Sequence, residues 1–176
     1  RDDLPDKGAT HWHNTIVEIK KHNPNLTIET LIPDFDALPE LLDLIVKAAP
    51  NVVSHNMETV RRLTPGTRSK AKYDRSLQVL QYLYENGVKT KSGIMLGLGE
   101  TTCEIEELMD DLLKINCKIL TIGQYLQPSP QNIPVQRFVT PEEFEKLRQI
   151  GLKKGFRHIE SAPLVRSSYH AEKHIN

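Results

Sequence analysis

The chain has 176 residues, 38% of them hydrophobic, and its 23 basic residues are balanced by 23 acidic ones. That length supports one domain with a core of its own, and the balanced charge gives no electrostatic reason to expect nucleic acid or an anionic membrane as partner. No apolar run approaches the roughly 20 residues that span a bilayer and no signal peptide is recognisable, so the expectation is a cytoplasmic, or else organelle-matrix, protein without a membrane span.

The chain opens at Arg1 in a polar stretch, RDDLPDKG, and enters a helix after Gly8 that runs to about His22. Trp12, Ile16 and Ile19 share one face of it, and Asn23-Pro24 stops it. The alternation thus begins halfway through a unit, which leads us to expect an element upstream. Leu26 to Ile32 reads as a strand ended by Pro33, and Leu38 to Ala49 as a helix with Leu41, Leu42, Ile45 and Val46 in a wide apolar stripe. Val52 to His55 is a short buried strand ending in His55-Asn56, where Asn56 serves either as a ligand contact or as a cap for the next helix. A brief helical piece is expected from Met57 to Leu63, cut by Thr64-Pro65-Gly66 and followed by a basic loop, TRSKAK.

Tyr73 to Asn86 reads as a helix with Leu77, Leu80 and Tyr84 inward and Gly87 closing it. The next stretch, KTKSGIMLGLGE over Lys89 to Glu100, organises the rest. Ile94, Met95 and Leu96 suit a strand buried on both faces. Gly97 and Gly99 then remove side chains where the backbone turns and where a ligand could approach. Thr101 and Glu104 form a capping box, so a helix to Asn116 aims its free N–H groups at the same spot. Lys91 lies inside this buried strand, where an ammonium requires a carboxylate or an anionic ligand. Lys118 to Leu126 supplies another strand carrying Gln124 and leads into a proline-rich loop. A second capping box at Thr140 and Glu143 starts a helix that ends at Gly155, and Phe156 to Glu160 is a last strand.

The tail packs Arg166, Ser167, Ser168, Tyr169 and His170 into five positions; His170 and His174 have a spacing that would suit a metal were the tail helical, but a solvated tail is the favoured reading of the pair. Cys103 and Cys117 sit at either end of one helix, about 20 Å apart, and read as plain thiols. Strand and helix alternate, so the sheet should be parallel with right-handed crossovers. Polar residues come after each strand (Asp34, Asn56, Glu100, Gln124), which favours a partial (β/α) barrel over a doubly wound sheet. The division expected is a barrel part over residues 1–160 and a tail over 161–176.

These stretches carry a resemblance. KSGIMLGLGET, TIGQYLQPS, RFVTPEEFE and PLVRSSYHAE, with RDDLPDKGATHW and NVVSHNMETV, together resemble the lipoyl synthase family of radical S-adenosylmethionine enzymes, over nearly the whole chain and in order. The resemblance implies insertion of two sulfur atoms into an octanoyl chain held on a lipoyl carrier domain or a glycine cleavage H-type protein. It implies S-adenosylmethionine, two [4Fe-4S] clusters, and a reductant such as ferredoxin or flavodoxin; neither nucleic acid nor membrane is expected. Position by position, Gly93 to Glu100 matches the strand that contacts S-adenosylmethionine. Asn56, Lys91, Gly97, Gly99, Glu100 and Gln124 become the expected cofactor contacts. Ser168, and after it Ser167, resembles the oxygen ligand of the auxiliary cluster, with Arg166 beside the radical site as the catalytic candidate. The family's two three-cysteine motifs have no counterpart here. The chain therefore resembles the C-terminal part of the enzyme, without the first strand and both cluster loops, and is expected to be inactive alone. A biotin synthase-like sulfur inserter and a non-catalytic carrier-binding module are the alternatives.

Overall fold

A computed structural model of the chain describes residues 3–68 and 72–174. Five strands form one sheet in the order β1-β2-β3-β4-β5: β1 (Glu29–Leu31), β2 (Val52–Ser54), β3 (Lys89–Leu96), β4 (Ile119–Gln124) and β5 (His158–Ser161). Every neighbouring pair is parallel. Spatial order equals chain order, so right-handed crossovers lay all the connecting helices on one face. That is the winding of a barrel wall, and because β1 and β5 do not pair it is an open, partial (β/α) barrel.

The helices are α1 (Ala9–His22), α2 (Pro39–Ala48), the single turn α3 (Thr64–Thr67), α4 (Tyr73–Glu85), α5 (Thr102–Lys114) and α6 (Pro141–Lys154). Both expected capping boxes form. Thr101 starts α5 with Glu104 as its reciprocal partner, and Thr140 starts α6 with Glu143. Glu104 also receives Arg62, whose hydrogen bonds hold its carboxyl at about 2.

Two side-chain layers on the helix face make the core. Ile94, Leu96, Leu120, Ile122 and Ile159 meet Leu108, Met109, Phe144 and Leu147 from α5 and α6. Val53 meets Phe35, Leu42, Ile45, Val79 and Leu83 nearer β1. Because strand residues alternate, Lys91, Gly93, Met95, Thr121 and Gly123 face the other side, toward the barrel interior.

Several boundaries differ from the sequence reading. The first strand is three residues rather than seven, because after Asn23-Pro24 only Glu29, Thr30 and Leu31 find ladder partners on β2. Met57 to Leu63 is not helical: Glu58 takes a left-handed φ of 64° and bridges to Ile94 beside β3. The helical turn instead starts at Thr64, with Pro65 in its first turn, where the ring is tolerated. Asn56 therefore caps no helix. Ile19 and Tyr84 turn outward, at 36% and 44% exposure, while Val79 and Leu83 fill the place expected for Tyr84. Of the basic loop, residues 69–71 lie outside the described residues, as does the side chain of His174.

Candidate functional site

The C-terminal ends of β2, β3 and β4 converge beneath the tail segment 165–167. There a cavity of about 120 Å³ is lined by Asn56 and Glu58 from the β2 end, Gly93 and Met95 from β3, Thr121 and Gly123 from β4, and Arg166 and Ser167 from the tail. Two glycines let the elements around it approach closely. A Cβ on Gly93 would lie 2.6 Å from Thr121 Oγ1 and 2.9 Å from Asn56 Oδ1, and one on Gly123 would overlap the Val165 carbonyl oxygen. The tail can lie across the mouth because Gly123 has no side chain. Gln124 N–H donates to Pro163 O (3.2 Å) and Ala162 N–H to Ile122 O (3.2 Å), fixing the tail to β4.

Asn56 Oδ1 is buried without a hydrogen-bond partner. A buried carbonyl left without a donor is costly, so this acceptor suits a ligand that brings a hydroxyl or an amine. Glu58 stands two residues on, and burial pushes its carboxyl above the usual range, opposed by Asn56 and Arg68. Its backbone is tied to β3 on both sides, through Glu58 N–H to Gly93 O (3.0 Å) and Met95 N–H to Glu58 O (2.8 Å).

The segment is held from behind by His55, which is 2% exposed. Its Nδ1 lies 3.0 Å from Ile32 O and its Nε2 2.9 Å from Ser76 Oγ. Only a ring with the proton on Nδ1 donates to Ile32 O and leaves Nε2 to accept from the serine hydroxyl. Arg68 donates to the same Ser76 Oγ at 2.8 Å. Burial accordingly lowers the His55 pKa to about 4. The imidazole is thus a neutral strut between β1, β2 and α4.

The other expected residues have defined places. Glu100 accepts from Gly97 N–H (2.7 Å) and Leu98 N–H (2.9 Å), so its carboxylate closes the turn after β3. Gly97 and Gly99 hold φ of 101° and 105° in that turn. The Gln124 amide nitrogen faces Leu96 O and Tyr125 O, both at 3.0 Å, and its oxygen accepts from Val139 N–H at 2.9 Å. Lys91 is fully buried on the interior face, 2.8 and 3.0 Å from the two oxygens of Glu29. Asp34 pairs with Arg75 at 3.3 Å. Of the residues expected from the sequence, the cavity gathers Asn56, Arg166 and Ser167. Glu100, Gln124 and Lys91 spend the contacts just described on the fold around it, and Ser168 is exposed beside it.

Sequence reasoning missed Glu58, Thr121 and Gly123. The signal for Glu58 was the acid two places after a strand-end asparagine, hidden by reading that stretch as helix. Thr121 and Gly123 were visible only as alternate positions of an apolar strand.

The Radical SAM superfamily profile matches residues 2–112. The chain belongs to the radical SAM superfamily. Its curated relatives include lipoyl synthases of Bacteroides fragilis strain YCH46, 61% identical over 99% of this chain and 61% of that protein, and of Parabacteroides distasonis, 63% identical over 99% and 62%. That of Treponema denticola is 59% identical over 99% and 60%. The chain thus spans about three fifths of the length of the curated relatives it matches. Among solved structures, the Bacillus subtilis HMG-CoA lyase superposes with a TM-score of 0.52 at 11% identity, covering 93% of this chain and 68% of that one. Streptococcus suis SuiB bound to S-adenosylmethionine gives 0.50 at 15% identity, covering 97% and 47%. At such identities the likeness is one of fold. For this radical SAM chain, the barrel wall read from strand order has the same architecture as both.

The residues do not fit an iron–sulfur cluster as they stand. Among the described residues no three His, Cys, Asp or Glu side chains gather as a metal site. Cys103 is exposed near the start of α5, and Cys117 is fully buried, its thiol pushed up to about 12 by desolvation.

Proposed function

We propose that this chain supplies the S-adenosylmethionine-binding wall of a lipoyl synthase, the enzyme that inserts two sulfur atoms into a protein-bound octanoyl chain. The observation that carries the reading is the buried, partnerless Asn56 Oδ1, packed close to Gly93 at the wall of the cavity. A nucleoside suits these groups, because its ribose hydroxyls answer the Asn56 carbonyl and the Glu58 carboxyl. S-adenosylmethionine held there would supply the radical chemistry of the whole enzyme, whose cluster this chain's residues do not hold. This chain's own residues bind and orient it. Asn56 and Glu58 fix the sugar, the turn at Gly97 to Glu100 shapes the wall, and Arg166 on the tail offers a charge-assisted donor at the mouth.

The remaining assignments belong to the same proposal. Residues 1–160 form the barrel part and 161–176 the tail that closes it. Ser167 and Ser168 are the oxygen-ligand candidates for an auxiliary cluster, of the two [4Fe-4S] clusters in the reading. An octanoylated carrier domain or H-type protein approaches the mouth, and ferredoxin or flavodoxin supplies electrons in the cytoplasm. Among the described residues no helix is long and apolar enough to cross a membrane. Since Cys103 and Cys117 do not gather, the chain by itself should hold no cluster and turn over no substrate; reconstitution with iron and sulfide giving two stable clusters would overturn that.

The direct test is ligand-observed NMR with S-adenosylmethionine and 5′-deoxyadenosine. Wild type should show saturation transfer to the ribose protons, and Asn56→Ala should lose most of it. Equal transfer to both proteins would sink the assignment.

A further inference from the structure

We propose that the cleft at the opposite end of the sheet is a second small-molecule site, and that it takes a nucleoside phosphate. This cleft is the larger one, about 420 Å³, within the size range of small-molecule pockets. It lies at the N-terminal ends of β3, β4 and β5, while the candidate site lies toward the C-terminal ends of β2, β3 and β4. From Lys89 and Thr90 to Gly93 and Met95, four or five steps along β3 put roughly 15 Å between the two.

Three cations line it, Lys89, Lys118 and Arg157, and none of the described lining residues is acidic. In a chain whose formal charge sums to zero, such a one-sided lining selects anions. The local field is visible on a neighbour: after burial, Arg157 and Lys89 hold the His158 imidazole below its usual range, against Glu160. The walls are built rather than loose. Arg157 N–H and His158 N–H both donate to Lys118 O, at 2.9 and 3.2 Å, so the two basic residues are carried on adjoining backbone.

The rest of the lining calls for more than an anion. Val88 and Ile119 give an apolar floor at 7% and 3% exposure, and the Tyr84 ring stands half-exposed at the wall. A flat heterocycle stacks on such a ring while its phosphates meet the guanidinium and ammonium groups.

The test is calorimetric titration of this chain with ADP, pyrophosphate and adenosine at about 0.15 M salt, where screening confines the effect to nearby charges. ADP should bind, and the exposed pair Lys118→Glu/Arg157→Glu should weaken it by about tenfold or more, at an unchanged melting temperature. Tyr84→Ala should weaken ADP and leave pyrophosphate unaffected. Absence of ADP binding, or equal binding by the charge-reversed variant, overturns the site. Displacement of ADP by S-adenosylmethionine overturns it too, since that ligand is cationic and belongs to the other end of the sheet. Indifference of ADP to Tyr84→Ala overturns the nucleoside part of the assignment.

Discussion

Gly93 shapes the candidate site by lacking a side chain. Its neighbours leave no room, with Thr121 Oγ1 and Asn56 Oδ1 within 3 Å of an added Cβ. Gly93→Ala should therefore abolish nucleoside contact in the NMR experiment while costing about 1 to 3 kcal/mol of stability from overpacking. Retained contact would show that the ligand enters elsewhere. His55 makes a separate prediction about pH. Its native pKa of about 4 lies below the ordinary 6.5, so between those values the unfolded chain binds the extra proton. The contribution is complete above pH 6.5 and is lost as pH falls toward 4. The gap corresponds to roughly 3 kcal/mol. Urea unfolding at pH 7 and pH 4.5 should show a shallower loss in His55→Gln than in wild type, even though the variant starts less stable; parallel losses would exclude His55 as the source.

At the level of elements, a buried ion pair joins strands beyond their ladders. Lys91 on β3 reaches across β2 to Glu29 on β1, with the lysine side chain at 0% exposure and the glutamate at 17%. Breaking a buried pair costs about 3 to 5 kcal/mol, mostly from the stranded charge. Glu29→Gln takes the facing carboxylate away from the fully buried ammonium and should cost more than Lys91→Met, which leaves a carboxylate that still reaches water. Chemical denaturation of both variants and of the double variant decides it, and the reverse order would mean that the lysine draws its compensation elsewhere. Which elements the sequence made legible depends on how local their causes are. The α5 and α6 starts were readable because Thr101 with Glu104, and Thr140 with Glu143, complete their hydrogen bonds within four residues. Met57 to Leu63 was not, because Glu58 is held in a left-handed conformation by β3, more than 30 residues away. Lys91 announced that it needed a partner; that the partner is Glu29, 62 residues away, is a fact of tertiary packing.

For the molecule as a whole, the open sheet is the controlling feature. A strand order of β1 to β5 without closure leaves two edges, and each offers unpaired backbone groups to another chain. The β1 edge is the more vulnerable. It carries Leu31 at 44% exposure on the interior face, with Leu26 at 54% just before it, whereas β5 leads directly into the tail that packs back on β4. The short length of β1 limits the reach of such pairing but does not remove it. The chain should therefore associate reversibly at micromolar to millimolar concentration, and sedimentation velocity would read this as a rising mean mass. Leu31→Lys places a charge on that edge, a device by which natural sheets avoid pairing, and should shift association to higher concentration while leaving nucleoside contact at Gly93 intact. A chain that stays monomeric across the range, or a Leu31→Lys variant that associates as wild type does, would mean that the exposed edge is protected by its own short length and twist.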